Sequence, residues 1–591
     1  MVLWQLDTGR KQFLPHLSAA IEGLVVSPSG SSYAVRLSNN SAMVLSTAEL
    51  EPTVSISGIQ IQLSGQVPPA LQPPILASVA TSNPQNNRAT SRIPATVSPL
   101  GTGQFLVAVP AESSSRVGIP QSPNAVFLQT LDIISGAQIS RQALARTKVT
   151  ALNMGPESNI IEEPNVTHLQ VSHDGHWLAT IDEWTPPRQD IAPLTIDRGA
   201  TTDEQRSRTE VYLKFWLWNN DKQTWELVSR IDAPHATEIG LSQKSGQVLD
   251  LLAEPSTLGF ITLGIDGLVK SWRPRNRHRD GIEVHGKDGR ALTNWFCRQS
   301  TTLPTLYDSP DMEDAYFPVA KLAVSADGSL LAVGYNSLTQ SMVHLINTEN
   351  GNIHYTRSDL LFGTLVGIGI IDRYLILLSE ELIVWDLVDE HLNYGFPLRS
   401  LGLQTAKATS ATHLAVDQKN STFAIAVPEI GNARESGTKL RAQLIIFDPT
   451  HATPLFTSSL PRSLMLLLPA PSRKGYLAVD TTSEMRMITP LAQFYSKSEK
   501  AQKLDPVTTA GLENLFGKTG AASARRYGDD QSSISEIAIL GKDSVLPIED
   551  TPVVRQNQIA EIFDAGPSFT LPSVADLFEQ VAGLFSKTSV V

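Results

Sequence analysis

Three times in this 591-residue chain an apolar stretch runs into a Ser-x-x-Gly turn, and a second apolar stretch follows at once. The copies are Leu24-Val25-Val26-Ser27-Pro28-Ser29-Gly30 before residues 32–35, Leu169-Gln170-Val171-Ser172-His173-Asp174-Gly175 before 177–180, and Leu322-Ala323-Val324-Ser325-Ala326-Asp327-Gly328 before 330–333. Glycine supplies the positive φ of a tight turn, and Ser or Asp bonds to the turn backbone. Each copy is therefore an antiparallel hairpin. A hairpin that recurs along a chain constrains the fold more than any composition does.

A second pattern is an aromatic followed by an acid or amide. It occurs at Trp4-Gln5-Leu6-Asp7, Trp216-Leu217-Trp218-Asn219, Trp385-Asp386-Leu387 and Phe447-Asp448. Gly264-Ile265-Asp266-Gly267 leads into another such strand, ending at Trp272. Twenty residues separate the Asp327 turn from Asn347, as a four-stranded blade of about 40–45 residues requires. Together the patterns predict an all-β protein, a WD40-type β-propeller. The 38 glycines and 37 prolines agree with many turns, and only 18% of residues are charged.

Blade-like units fall near 93–145, 166–232, 236–276, 319–358, 364–398, 411–460 and 464–491. Seven is a common closure number, so 93–492 is expected to form one seven-bladed propeller. Residues 1–62 read as the last blades of an earlier propeller, with 1–17 as the final two strands of a blade whose first half is missing. A blade so interrupted leaves an open strand edge, and the expectation is an N-terminally truncated chain. The competing reading has 1–17 closing a single larger ring. Residues 63–92 are rich in Pro, Gln and Asn and read as a linker. Residues 185–210 and 276–316 read as insertions between or within blades, where binding loops tend to sit.

After 492 the repeat stops. Residues 493–570 have the polar composition of a flexible tail. In 571–591, Ser573 precedes an apolar stripe of Val574, Leu577, Phe578, Val581, Leu584 and Phe585, one face of an amphipathic helix. A helix this short is marginal alone. It docks either on its own propeller or, as we expect given the tether before it, on a partner's helices.

The sequence contains no His-Glu-x-x-His, Gly-x-Ser-x-Gly or Gly-x-Gly-x-x-Gly motif in a suitable setting. Gly517-Lys518-Thr519 lacks the preceding strand and glycine spacing of a phosphate loop. Cys297 is the sole cysteine, so neither a disulfide within the chain nor a cysteine cluster for metal is possible. It reads as a small buried hydrophobe rather than a nucleophile. His16, His173 and His235 sit at turns or blade entries and are expected to satisfy backbone groups. No enzyme, cofactor, small-molecule substrate or membrane span is expected.

The net charge of −12 makes surface-wide binding to nucleic acid unfavourable. One local cluster runs against it: Lys270, Arg273, Arg275, Arg277 and Arg279, with Trp272 and His278 between them. These five are candidate RNA contacts. The bland alternative is a solvated loop, or one paired with Asp280, Glu283 and Asp288.

The opening is the most specific stretch. Residues 2–17 (Val2-Leu3-Trp4-Gln5-Leu6-Asp7-Thr8-Gly9 onward), then Ile21-Glu22-Gly23-Leu24, Tyr33-Ala34-Val35-Arg36-Leu37 and Ile56-Ser57-Gly58-Ile59-Gln60, carry a resemblance. They resemble the WD repeat-containing protein 75 / fungal Nan-type Utp family of the small-subunit processome. Across the second propeller the likeness is of architecture more than motif. The resemblance implies tandem propellers with a C-terminal extension and a scaffold of the nucleolar UtpA (t-Utp) subcomplex. It implies partners in the other UtpA subunits and in pre-rRNA with the U3 snoRNP, supporting transcription and processing to 18S rRNA. No catalytic residues carry over. A propeller adaptor of a vesicle coat or a ubiquitin-ligase receptor is the alternative.

Overall fold

The computed structural model describes residues 2–4, 9, 11–13, 21–37, 40–47, 52–61, 93–100, 103–110, 125–145, 163–186, 191, 208–235, 246–279, 281–286, 289, 291–304, 319–336, 341–398, 411–429, 441–470 and 475–490. The segments expected to form a linker (63–92), a flexible tail (493–570) and an amphipathic helix (571–591) lie outside them.

The Ser-x-x-Gly hairpins form as expected. In each, the glycine N–H donates to the serine carbonyl at 2.9 Å, and the glycine takes φ of +69° to +78°. The serine hydroxyl accepts the N–H that opens the next strand, Ser325 from Leu330 and Ser172 from Trp177, both at 3.0 Å. Asp174 and Asp327 in turn accept from the serine hydroxyls.

Six four-stranded antiparallel sheets and one of three strands follow each other between 95 and 488. Blade I holds Ala95–Val97, Gln104–Pro110, Ala125–Asp132 and Gln138–Ala143. Blade II holds Asn165–Val171, Trp177–Trp184, Glu210–Asn219 and Thr224–Asp232. Blade III holds Val248–Ala253, Phe260–Gly264, Leu268–Asn276 and Thr293–Thr302. Blade IV runs from Val319–Val324 to Ile353–Arg357, blade V from Gly367–Ile371 to His391–Pro397, and blade VI from His413–Asp417 to Phe456–Leu460. Blade VII has Leu464–Pro469, Tyr476–Asp480 and Met485–Ile488. Each blade's first strand lies beside the first strand of the next, and Leu464–Pro469 lies beside Ala95–Val97. The ring is closed and has seven blades.

Its core is a series of apolar layers, one between every successive pair of blades. Leu178 and Trp216 meet Leu106 and Leu128 between I and II. Phe215 meets Phe260 and Trp272 between II and III. Phe423 and Phe447 meet Ile376 and Val384 between V and VI. Phe105 and Val107 meet Leu477 and Val479 where the ring closes. Burying one such side chain contributes about 1.5–3 kcal/mol, so each blade is stabilised on both faces by its neighbours.

A separate four-stranded sheet, Ile21–Val26, Ser32–Leu37, Ser41–Ser46 and Pro52–Ser57, precedes the ring. A two-stranded hairpin pairs Val2–Trp4 with Lys11–Phe13. The sequence placed blade III's end at 276 and an insertion after it. The structure instead continues strand Leu268–Asn276 into a long ribbon with Thr293–Thr302, so part of that insertion is the blade's fourth strand. The excursion between them hides the pairing from any local pattern.

Candidate interaction surfaces

The basic cluster lies on this blade III ribbon. Pairing sets Arg273 opposite Phe296, Arg275 opposite Asn294 and Asn276 opposite Thr293. Because opposed residues share a face, Arg273, Arg275, Phe296 and Asn294 stand together. The other face carries Pro274 and Trp295, and Trp295 stacks on Phe215 of blade II at 4.2 Å between ring centroids. The ribbon is thus anchored by one face and presents the other to solvent. Beyond it, His278–Arg279 pairs with Ile282–Glu283.

The five basic residues separate into two groups. Arg273 pairs with Glu254 and donates to Thr257 Oγ1 and Leu258 O, each at 2.9 Å. Lys270 Nζ donates to the Pro234 carbonyl at 2.7 Å. Lys214 occupies the equivalent register in blade II and donates to the Leu144 carbonyl at 3.0 Å. Both lysines therefore tie the segment entering a blade to that blade's third strand. Arg275, Arg277 and Arg279 are exposed and make no ion pair with a described residue. Arg275 stands on the ribbon with exposed Phe296, and Arg277 and Arg279 follow in the excursion beyond it.

His235 has a role that its position at a blade entry concealed. It is fully buried, and its ring nitrogens meet Asp266 at 3.0 Å and Thr262 Oγ1 at 2.7 Å rather than backbone groups. Trp272 Nε1 donates to the same Thr262 oxygen at 2.8 Å. Burial lowers the His235 pKa against the pull of Asp266, so the ring is held neutral. This chain of His235, Asp266, Thr262 and Trp272 locks two strands, the turn between them and the entry segment of blade III together. Blade II repeats one link, Trp216 Nε1 to Thr180 Oγ1 at 3.1 Å.

Cys297 is exposed, not buried; it lies on the blade's outer strand, paired with Trp272. Its thiol donates to the Gln299 carbonyl, and desolvation raises its pKa, which opposes thiolate chemistry.

Polar links also join neighbouring inner strands. His168 Nε2 meets the Leu249 carbonyl at 3.3 Å, and His413 Nε2 meets Leu464 O at 3.0 Å. Lys321 reaches Asp250 at 3.1 Å, and burial lowers the pKa of the nearby His168 to about 4. Asp182, buried beside Lys214, is raised to about 6 by desolvation. Asp386, Asp389 and His391 bring potential metal-ligating atoms within 4.8 Å, but the Arg373 guanidinium pairs with both carboxylates. The group reads as an ion-paired turn. Among the described residues no helix is long and apolar enough to cross a membrane.

The last surface belongs to the N-terminal sheet. Its first strand exposes Leu24, Val25 and Val26, and its fourth exposes Val54 and Ile56. Its own apolar cluster is small, with Val35, Leu37 and Leu45 buried.

Three curated proteins match this chain. U3 small nucleolar RNA-associated protein 17 of Schizosaccharomyces pombe is 25% identical over 429 residues, 72% of this chain and 46% of that protein. NET1-associated nuclear protein 1 of Saccharomyces cerevisiae is 22% identical, covering 58% of this chain and 35% of its own length. WD repeat-containing protein 75 of Xenopus laevis is 22% identical, covering 56% and 29%. The chain therefore spans less than half the length of each of these relatives. No family model matches it. Among solved structures, the β-propeller domain of Myceliophteria thermophila Cps50 (Swd1) has a TM-score of 0.39 and 11% identity, covering 68% of this chain and 96% of that one. Sqt1 of Saccharomyces cerevisiae gives 0.37 and 10%, covering 68% and 83%.

Proposed function

Starting from homology to these three WD-repeat proteins, we propose that this chain is a non-catalytic scaffold of the small-subunit processome, in the nucleus and nucleolus. It holds neighbouring subunits in place while pre-rRNA is transcribed and processed to 18S rRNA. The observation that carries this reading is the match to U3 small nucleolar RNA-associated protein 17 over 72% of the chain. A closed ring with wide blade faces suits a scaffold, since loops and outer strands offer many surfaces on one rigid frame.

Within that role, the sheet at 21–57 belongs to a propeller separate from the ring at 93–492, and residues 58–61 lead from it onto the ring. The exposed first strand at Leu24–Val26 supports this, since it has the apolar character of an inner strand and no neighbour blade among the described residues. The helix at 571–591 docks on a partner subunit through Val574, Leu577, Phe578, Val581, Leu584 and Phe585. RNA contact falls to Arg275, Arg277 and Arg279, whose charges are free of described acids, rather than to Lys270 and Arg273.

Affinity purification of the tagged chain tests the reading. Processome subunits and pre-rRNA are expected in the eluate, and deletion of 571–591 is expected to remove at least one subunit. Recovery of coat or ubiquitin-ligase subunits instead would overturn it. Reversing Arg275, Arg277 and Arg279 to Glu is expected to reduce RNA crosslinking severalfold with subunit composition intact.

A further inference from the structure

The ring closes between blades VII and I, and blade VII has three strands among the described residues, with Met485–Ile488 outermost. The segment at 58–61, between the N-terminal sheet and the linker, lies at this seam. Ile59 is buried in the same cluster as Phe105, Val107, Leu477 and Val479, and Ile61, Met485 and Met487 pack against that cluster.

A single side chain of blade I grips this segment. The carboxamide of Gln129, fully buried, donates from Nε2 to the Gly58 carbonyl at 2.8 Å and accepts from the Gln60 N–H at 3.0 Å. In an extended segment those two groups point to the same side, so the carboxamide offers a donor and an acceptor as the N–H and C=O of one residue in a neighbouring strand would. Gln138 Oε1 accepts the second Nε2 hydrogen at 2.8 Å and fixes the orientation of the carboxamide. From blade VII, Ser483 Oγ donates to the Ile61 carbonyl at 3.4 Å.

The other side of the segment is held by the N-terminal sheet. Asn40 Nδ2 donates to the Ile59 carbonyl at 3.1 Å, and the Gly58 N–H donates to the Asn40 carbonyl at 3.0 Å. The contact needs glycine, since a Cβ at 58 would lie 2.6 Å from Asn40 Nδ2 and 2.9 Å from Asn40 O.

We propose that residues 58–61 form a clasp: they cover the seam beside the three-stranded blade and lock the N-terminal sheet to the ring at a fixed angle. Asn40 and Gln129 are its two jaws. The clasp places the exposed strand at Leu24–Val26 at a set position relative to blades VII and I, so whatever covers that strand is aligned with the ring without a flexible joint. This goes beyond the scaffold reading and does not depend on it.

Hydrogen exchange on the purified full chain, with no partner present, tests the clasp. In the wild type, the Gln60 and Gly58 amides are expected to be protected together with blade I. Gln129→Leu is expected to raise exchange at Gln60 at least tenfold and to split thermal unfolding into two transitions, one for the sheet and one for the ring. Asn40→Ala, in an exposed turn that the ring does not need for folding, removes the Nδ2 donor to the Ile59 carbonyl but keeps the backbone carbonyl that Gly58 uses; it is expected to raise exchange across 58–61 and to loosen the N-terminal sheet while ring protection is unchanged. Unchanged exchange at 58–61 in Asn40→Ala, or equal loss of protection throughout the ring, would overturn the proposal. If Gln129→Leu fails to fold, the Asn40→Ala result decides alone.

Discussion

The strand at Leu24–Val26 and the strand at Leu322–Val324 open hairpins of the same design, yet they end in opposite surroundings. Leu322, Ala323 and Val324 are 5–6% exposed, whereas Leu24, Val25 and Val26 are 48%, 67% and 51% exposed. Both turns close with the same serine-to-glycine hydrogen bond at 2.9 Å. The difference therefore does not lie in the hairpin. Blade IV has blades III and V against its faces, and the N-terminal sheet has no described blade on that side. A blade is specified locally, but its burial is supplied by neighbours.

The comparison breaks most readily through core truncation. Phe260→Ala removes a ring packed 5.7 Å from Phe215 and 5.4 Å from Trp295, between blades II and III. It is expected to cost about 3–5 kcal/mol in urea denaturation. Val25→Ala is expected to cost under about 0.5 kcal/mol, as an exposed substitution. A large loss at Val25 would mean that this strand is covered in solution.

A smaller effect distinguishes blades within the ring. Thr262→Val keeps the shape but takes away the partner shared by His235 and Trp272. About 2 kcal/mol is expected, because buried partners lose their hydrogen bonds. Thr180→Val in blade II releases the Trp216 indole, and about 1 kcal/mol is expected there. Equal losses would show that His235 adds nothing to the blade III network.

The ring and the sheet also differ in their response to pH. Burial lowers the pKa values of His235 and His344, and that of His168 to about 4 from 6.5. Below 6.5 the unfolded chain binds protons that the folded ring refuses, so stability falls as pH drops from 6.5 towards 4. Asp182, raised to about 6, acts in the opposite sense over part of that range. The net expectation is a loss of about 1–3 kcal/mol in the ring, seen as a falling melting temperature. The sheet at 21–57 contains no histidine and is expected to show no such slope.

The hairpins, the number of blades and the basic cluster were all legible in the sequence, because each is set by residues close together in the chain. The fourth strand of blade III was not, since Thr293–Thr302 pairs across an excursion that carries no repeat signal. Within the candidate site, the pattern grouped five cations as equals. Only the packing separates Lys270, spent on the Pro234 carbonyl, and Arg273, spent on Glu254, from the three that face solvent. His235 was legible as a residue at a blade entry, but its partners lie 27 and 31 positions away. Cys297 was misread as buried, since its strand pairs across the excursion and forms the blade's exposed outer edge.

By itself, then, the sequence determined that this chain makes antiparallel blades and roughly where each begins. Turn chemistry and period-two alternation act over a few residues and need no partner. The tertiary structure alone decided which blades are neighbours, which cations remain free, and that Gln129 and Asn40 meet across 58–61. Those outcomes depend on groups far apart in the chain that become adjacent only when the ring closes.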